Sequence, residues 1–152
     1  ASEEVVRADV DAIFLAAQPS FARMMVPQLK FHRAAKVPVY ATSHVFVGFE
    51  NRQHNKDLEG VHFPIAPLLL QTGDLLETLP FDVNQIKNTD LNLFAFGYDA
   101  YQLTSRLSWL ARINSGEFSG LSGHLSMDFD GRIRRHLPWA YYTGGEVYAA
   151  ED

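Results

Sequence analysis

"DAIFLAAQPSFARMMVPQLKFHRAAKVPVYAT", residues Asp11 to Thr42, decides the fold class. It opens with the apolar run Asp11-Ala-Ile-Phe-Leu-Ala-Ala17, closed by Gln18-Pro19-Ser20. A short apolar segment without polar alternation suits a strand covered on both faces, as in a parallel sheet. Ser20 has the chemistry of a helix cap, and Phe21, Met25, Leu29 and His32 follow at near-helical spacing. Pro27 falls inside that helix and is expected to kink or limit it, because proline has no N–H to donate. Val37 to Thr42 then reads as a second β segment. Strand, helix, strand is the order of a right-handed crossover rather than of a hairpin, so the two strands are expected to pair in parallel.

Working outward, Val61-His-Phe-Pro-Ile65 is a third, shorter β segment, and the polar stretch Glu50 to Glu59 before it is expected to be a solvated loop or a short helix. From Gly73 to Asp90 the signals weaken: Asp74 and Glu77 have capping-box spacing, but Pro80 interrupts what they begin, and one or two short helices are expected. The longest expected helix runs from Phe94 to Ile113, with Tyr98, Tyr101, Leu103, Leu107, Leu110 and Ile113 on its apolar side and Asn114-Ser115-Gly116 as its stop. The tail changes period. Leu121 to Ser126, Arg132 to Trp139 and Tyr141 to Tyr148 are β-like and separated by Asp-Gly and Gly-Gly turns. The chain is expected to be α/β, a three-layer sandwich on a parallel sheet with a C-terminal β-hairpin.

With 152 residues, 47% of them hydrophobic, the chain is long enough to bury one sizeable core. Thirteen basic residues against eighteen acidic ones give a net charge of −5, and no basic block exceeds Arg134-Arg135, which disfavours nucleic acid as a partner. The absence of cysteine excludes disulfides, thiolate metal sites and a cysteine nucleophile. No apolar stretch approaches the roughly 20 residues that span a bilayer. The opening ASEEVVRADVD is too charged for a signal peptide, so any export or lipid address is expected upstream of residue 1.

Asp128-Phe129-Asp130-Gly131 has two acids and a glycine in the order used by calcium loops. Taking Gly131 as the sixth loop residue puts the first ligand position on Ser126 and the twelfth on Leu137, so the bidentate acid is missing. A hairpin turn is the expected role. The six histidines, at 32, 44, 54, 62, 124 and 136, form no H-E-x-x-H pair, and no metal or other cofactor is expected. Ser20, Ser43 and Ser105 lie in neither G-x-S-x-G nor S-x-x-K patterns. Gly120 and Gly123 follow a helix and a turn instead of joining a strand to a helix, so they are expected to relieve a bend or permit close backbone approach, not to cradle phosphate. What remains is placement. Ligands of open α/β sheets sit beyond the carboxyl ends of the strands, which makes Gln18, Ser20, Thr42, Ser43 and His44 the candidate ligand-facing residues.

"DAIFLAAQPSFARMMVPQLKFHRAAKVPVYATSHVFVG", "DLEGVHF", "FAFGYDAYQL" and "GLSGHLSMDFDGRI" together resemble the C-terminal domain of the LppC/LpoA family, with Val37 to His44 as the most specific block. Members are bacterial outer-membrane lipoproteins that activate a penicillin-binding protein. The resemblance implies part of a type I periplasmic-binding-protein-like fold with two lobes: residues 1–72 as βα units of the second lobe, 73–119 as helices of the first, and 120–152 as a hinge-proximal β tail. It implies a non-enzymatic activator of a class A, bifunctional peptidoglycan synthase, periplasmic and held at the outer membrane by an upstream lipid anchor. The alternative is a receptor for an amino acid or cell-wall fragment in the interlobe cleft. The chain departs from the family at Ile65-Ala66-Pro67-Leu68, which lacks the acid and the Trp usual around that proline. It also begins where such a fold should be half built, so the strand at Asp11 to Ala17 is expected to present an apolar edge that either self-associates or needs upstream chain.

Overall fold

The computed structural model describes residues 9–46, 48, 51–70, 79–82, 85–86, 91–112 and 116–150. The chain divides into two compact units, residues 1–64 with 139–152, and residues 65–138.

In the first unit the apolar runs become strands where their β-branched and aromatic residues concentrate: β1 (Ile13–Leu15), β2 (Val39–Ala41) and β3 (Val61–Pro64). β1 pairs with β2 and β2 with β3, both in parallel, as the crossover order requires. The sheet is completed on the other side by two strands of the tail, β7 (Trp139–Thr143) and β8 (Glu146–Ala149), giving the order β1-β2-β3-β7-β8. β7 runs antiparallel to β3 and to β8, so the sheet is mixed. Gly144 and Gly145 both have positive φ, 61° and 85°, which a two-residue hairpin turn of matching twist demands and which side chains resist. The Glu59 carboxylate secures that turn, accepting from Thr143 Oγ1 at 2.9 Å and from Gly144 N at 2.8 Å.

Between β1 and β2 runs α1 (Pro19–Leu29), continued by a π-helical turn over Lys30–Ala34. Ser20 does not cap this helix. Gln18 stands at the N-cap with extended backbone and no side-chain cap bond, because Pro19, whose fixed φ suits the first helical position, starts the helix two residues earlier. Nor does Pro27 end it; α1 passes through to Leu29 before widening into the π turn. The polar stretch before β3 holds α2 (Arg52–Asn55) and a 3-10 turn at Lys56–Leu58; Glu50 lies outside the described residues. Asn51 accepts from His54 N at 3.2 Å, and the buried Asn55 takes a 3.0 Å hydrogen bond from Arg23 of α1.

Strand alternation sorts the sheet into two faces. Val39, Ala41, Val61, Phe63, Ala140 and Tyr142 are buried, together with Ala22 and Val26 of α1 and with Val45, Phe46 and Leu58. The opposite face carries one row in register across all five strands: Phe14, Tyr40, His62, Tyr141 and Tyr148. Phe14 is 72% exposed, so the cover expected on both faces of the first strand lies, among the described residues, on the Leu15 side.

The second unit contains α3 (Pro67–Leu70), α4 (Leu91–Leu110) and a three-stranded antiparallel sheet, β4 (Glu117–Ser119), β5 (His124–Met127) and β6 (Ile133–His136). β4 fills a stretch before Leu121 to which the sequence assigns no strand. α4 starts three residues earlier than expected, and Ile113, Asn114 and Ser115 lie outside the described residues, as does most of the stretch from Gly73 to Asp90. Its buried stripe also differs: Leu91, Ala95, Asp99 and Leu110 are buried, whereas Tyr101 is 75% exposed and Leu107 is exposed. Asp99, an acid, is only 2% exposed. Phe81, Phe94 and Tyr98 form an aromatic cluster with ring centroids 5.0 to 6.2 Å apart.

Candidate functional site

Parallel pairing of β1 with β2 brings the carboxyl ends of both strands to one border of the first unit, and Thr42 N donates to Leu15 O at 3.2 Å. Gln18 and Ser20 at the start of α1 are exposed there. Thr42 and Ser43 are half-buried and His44 exposed, where the chain leaves β2 into the 3-10 turn Ser43–Val45. The side-chain polar groups of these five residues have no hydrogen-bond partner among the described residues, so hydroxyls, an amide and an imidazole are unspent at one strand-end border. They are donors and acceptors without a carboxylate, lysine or arginine among them, a set chemically able to hold a polar ligand by hydrogen bonds.

The acid pair at Asp128 and Asp130 is a turn. It joins β5 to β6, with Asp128 Oδ1 accepting from Arg132 N at 2.8 Å and Asp130 N at 3.1 Å, and Oδ2 paired with Arg134 at 2.8 Å. The Arg132 amide first, then the Arg134 guanidinium, hold the Asp128 carboxyl below its ordinary range against an opposing desolvation effect. The lone pairs a cation would need are thus engaged by the hairpin itself. Among the described residues no group of three His, Asp or Glu could hold a metal ion. His124 and His136 face each other across β5 and β6, and His124 Nδ1 lies 3.2 Å from Ser119 Oγ.

The most elaborate polar arrangement centres on Asp99. Oδ1 accepts from Leu121 N at 2.8 Å; Oδ2 accepts from Ser122 N at 2.7 Å and from Ser122 Oγ at 2.6 Å. Three donors from one turn converge on a buried carboxylate, which fixes the loop between β4 and β5 onto α4. A Cβ on Gly120 would stand 2.6 Å from Asp99 Cγ, so the turn can reach the carboxylate only with glycine there. The expectation that Gly120 permits close approach is met, with a side chain of the helix as the approaching group. The sequence signal for this knot is a lone acid amid apolar neighbours in "FAFGYDAYQL", followed about twenty residues later by "GLSG".

Comparison with known proteins agrees with this geometry. The chain is 28% identical over 156 residues to the Penicillin-binding protein activator LpoA of Photobacterium profundum, covering 99% of this chain and 25% of that protein. The chain thus spans about a quarter of the length of the curated relatives it matches. Its fold is similar to the "LpoA (YraM) C-domain from Haemophilus influenzae, a regulator of PBP1A", with a TM-score of 0.76 at 21% identity, covering 97% of this chain and 46% of that one. A putative branched-chain amino acid ABC transporter from Chromobacterium violaceum superposes with a TM-score of 0.60 at 26% identity, covering 87% of this chain and 42% of that one. The parallel-containing α/β sheet is the one expected from the order of the elements, and the binding-protein-like likeness is the one the family resemblance implied. The family model described as LppC putative lipoprotein matches residues 1–145, and the chain belongs to that family.

Proposed function

We propose that this chain is the binding-protein-like part of a non-enzymatic activator of a class A, bifunctional penicillin-binding protein, and that it works by protein contact in the periplasm, held at the outer membrane by a lipid anchor on the whole protein. The observation that carries the reading is the family match over residues 1–145, together with relatives named for activating a penicillin-binding protein. The chemistry of the molecule is in keeping with it. Asp99 and Asp128, its conspicuous acids, have their oxygens engaged in holding turns, and an activator that works by contact needs no reactive group from them. The test adds the full-length protein to its cognate synthase and measures glycan polymerisation and peptide cross-linking. Stimulation with direct binding supports the reading; no binding and an unchanged rate overturn it.

A receptor for a small ligand is the second reading, favoured by the polar groups of Gln18, Ser20, Thr42, Ser43 and His44, unspent among the described residues, at the strand ends and by the likeness to a putative branched-chain amino acid ABC transporter. Calorimetry of the full-length protein with amino acids and muropeptides separates the two. A receptor saturates with one of them, and Thr42→Val with Ser43→Ala weakens that binding.

A further inference from the structure

In the second unit a cavity of about 170 Å³ is lined by residues of α4 and β4 and their neighbours, among them Leu79, Tyr98, Asp99, Gln102, Arg106 and Phe118. Arg106 is the notable member. Its Nη1 donates to the Gln102 carbonyl oxygen at 3.0 Å and to Gln102 Oε1, one turn earlier on the same helix, at 2.6 Å. The guanidinium carbon sits 4.7 Å from the centre of the Phe118 ring of β4. Gln102 is in turn held by its Nε2, which donates to Tyr98 Oη at 3.0 Å. A guanidinium fixed at one nitrogen and over one face has already lost most of its rotamer freedom, which is the usual cost of using arginine for recognition.

Both hydrogens of Nη1 are used, whereas Nε and Nη2 have no partner among the described residues, and no carboxylate pairs with Arg106 there. That edge of the guanidinium presents two parallel N–H groups, the spacing that matches the two oxygens of one carboxylate. Asp99 does not fill this role, because its oxygens already accept from Leu121 N, Ser122 N and Ser122 Oγ. Phosphate is a poorer fit. The nearby turn amides are spent on Asp99, so a second negative charge would find no donor, and Asp99 opposes a dianion about twice as strongly as the single charge of a carboxylate. Of the remaining walls, Leu79, Leu121, Phe118 and Tyr98 are apolar or aromatic and suit a short hydrocarbon body, beside the polar Ser119 and the backbone of Gly120.

We infer that this cavity is a binding site for a single carboxylate on a small apolar body, a free amino acid or the C-terminus of a peptide, with Arg106 as its anchor and Phe118 as the plate that holds the anchor flat. It lies wholly within residues 65–138 and uses none of the strand-end residues of the first unit.

The test is a titration of the full chain followed by amide and aromatic NMR shifts, using alanine, N-acetylalanine, N-acetylalanine methylamide and inorganic phosphate as probes. Saturable shifts at Gly120, Leu121 and Phe118 with a carboxylate probe, and none with the methylamide, are expected. Alanine alone binding identifies a free amino acid as the occupant, and N-acetylalanine a peptide C-terminus. Arg106→Met should abolish the shifts, and Arg106→Lys, which keeps charge without the paired donors, should weaken binding about tenfold. If Arg106→Met fails to fold, the lysine variant and Phe118→Leu give the reading, each weakening binding in a folded chain. No saturation with either carboxylate, preference for phosphate, or shifts that persist unchanged in the Arg106 variants would overturn the assignment.

Discussion

Asp99 of α4 accepts two hydrogen bonds from a single residue, Ser122, through its amide at 2.7 Å and its hydroxyl at 2.6 Å. The carboxylate is 2% exposed and its second oxygen takes Leu121 N, so one helical acid satisfies the donors of a turn that otherwise would be buried unpaired. Asp99→Asn keeps the shape but turns one acceptor into a donor, which faces either the Leu121 N–H or the Ser122 N–H and hydroxyl. The loss should be on the order of 3 kcal/mol in urea unfolding, against about 1 kcal/mol for Ser122→Ala, which removes one neutral donor and leaves the amide bonds.

Two glycines should behave oppositely, because only Gly120 abuts the Asp99 carboxylate. Gly120→Ala drives a methyl group into Asp99 and should lower thermal stability by several degrees, because either the turn or the helix must move. Gly97 lies exposed within α4 with nothing within 4 Å of an added Cβ. Gly97→Ala therefore should raise stability by about 0.5 to 1 kcal/mol, the usual gain from removing a glycine from a helix interior. Equal effects at the two positions would contradict the packing described.

What could be read in the sequence follows from how local each cause is. Parallel β1, β2 and β3 were legible because their apolar cores, Ile13–Leu15, Val39–Ala41 and Val61–Pro64, are separated by a helix and a polar stretch too long for hairpins. The turn at Asp128 to Gly131 was legible because a failed ligand count depends only on spacing. β4 was not, since Glu117-Phe-Ser119 is too short to show alternation and is specified by its partner β5. The buried face of α4 was missed for a different reason: Asp99 is buried by donors supplied from residues 121 and 122, which no helical pattern contains. Arg106 and Phe118, from separate elements, meet only through the fold.

Acid should loosen the hairpin between β5 and β6 through Asp128. Its carboxyl titrates below the ordinary 3.8 in the folded chain, chiefly because of the Arg132 amide and then Arg134. A depressed folded value means that the stabilisation is complete above 3.8 and is lost as pH falls through the lower folded value. Carbon-detected NMR should show the Asp128 midpoint below 3.8, with Arg134→Met raising it only part of the way, since the Arg132 amide remains. A midpoint that returns fully to the ordinary value in that variant would make the ion pair, not the backbone bond, the main cause.

The core of the first unit should depend on Phe63 more than on the hydroxyl beside it. Phe63 is fully buried, its ring 5.0 Å from that of Tyr142 and 6.1 Å from that of Phe46. Phe63→Ala should cost about 3 to 5 kcal/mol through lost burial and the cavity left behind. Tyr142→Phe removes a 3.3 Å hydrogen bond to Val45 O and should cost about 1 kcal/mol. Denaturant titration of both variants checks the order; a larger loss from Tyr142→Phe would place the weight on the polar contact instead.

The other face of that sheet leads to the opposite expectation. Phe14, Tyr40, His62, Tyr141 and Tyr148 stand in register, with neighbouring rings from Tyr40 to Tyr148 5.6 to 6.3 Å apart, and Trp139 meets Tyr40 edge-on at 5.8 Å. Phe14, Tyr40, Trp139 and Tyr148 are all exposed, an aromatic row that starts on β1, an edge strand among the described residues. Surfaces of this kind associate or take a cover, and open strand edges add hydrogen bonding to the attraction. Sedimentation velocity of the chain should show association that grows with concentration, and Phe14→Lys with Tyr40→Lys should return it to monomer. Because neither ring is buried, the double variant should keep its unfolding midpoint close to that of the parent, whereas a large loss of stability would mean that the row is structural within the unit. A parent chain that stays monomeric across the whole concentration range would show that the aromatic row is not adhesive on its own.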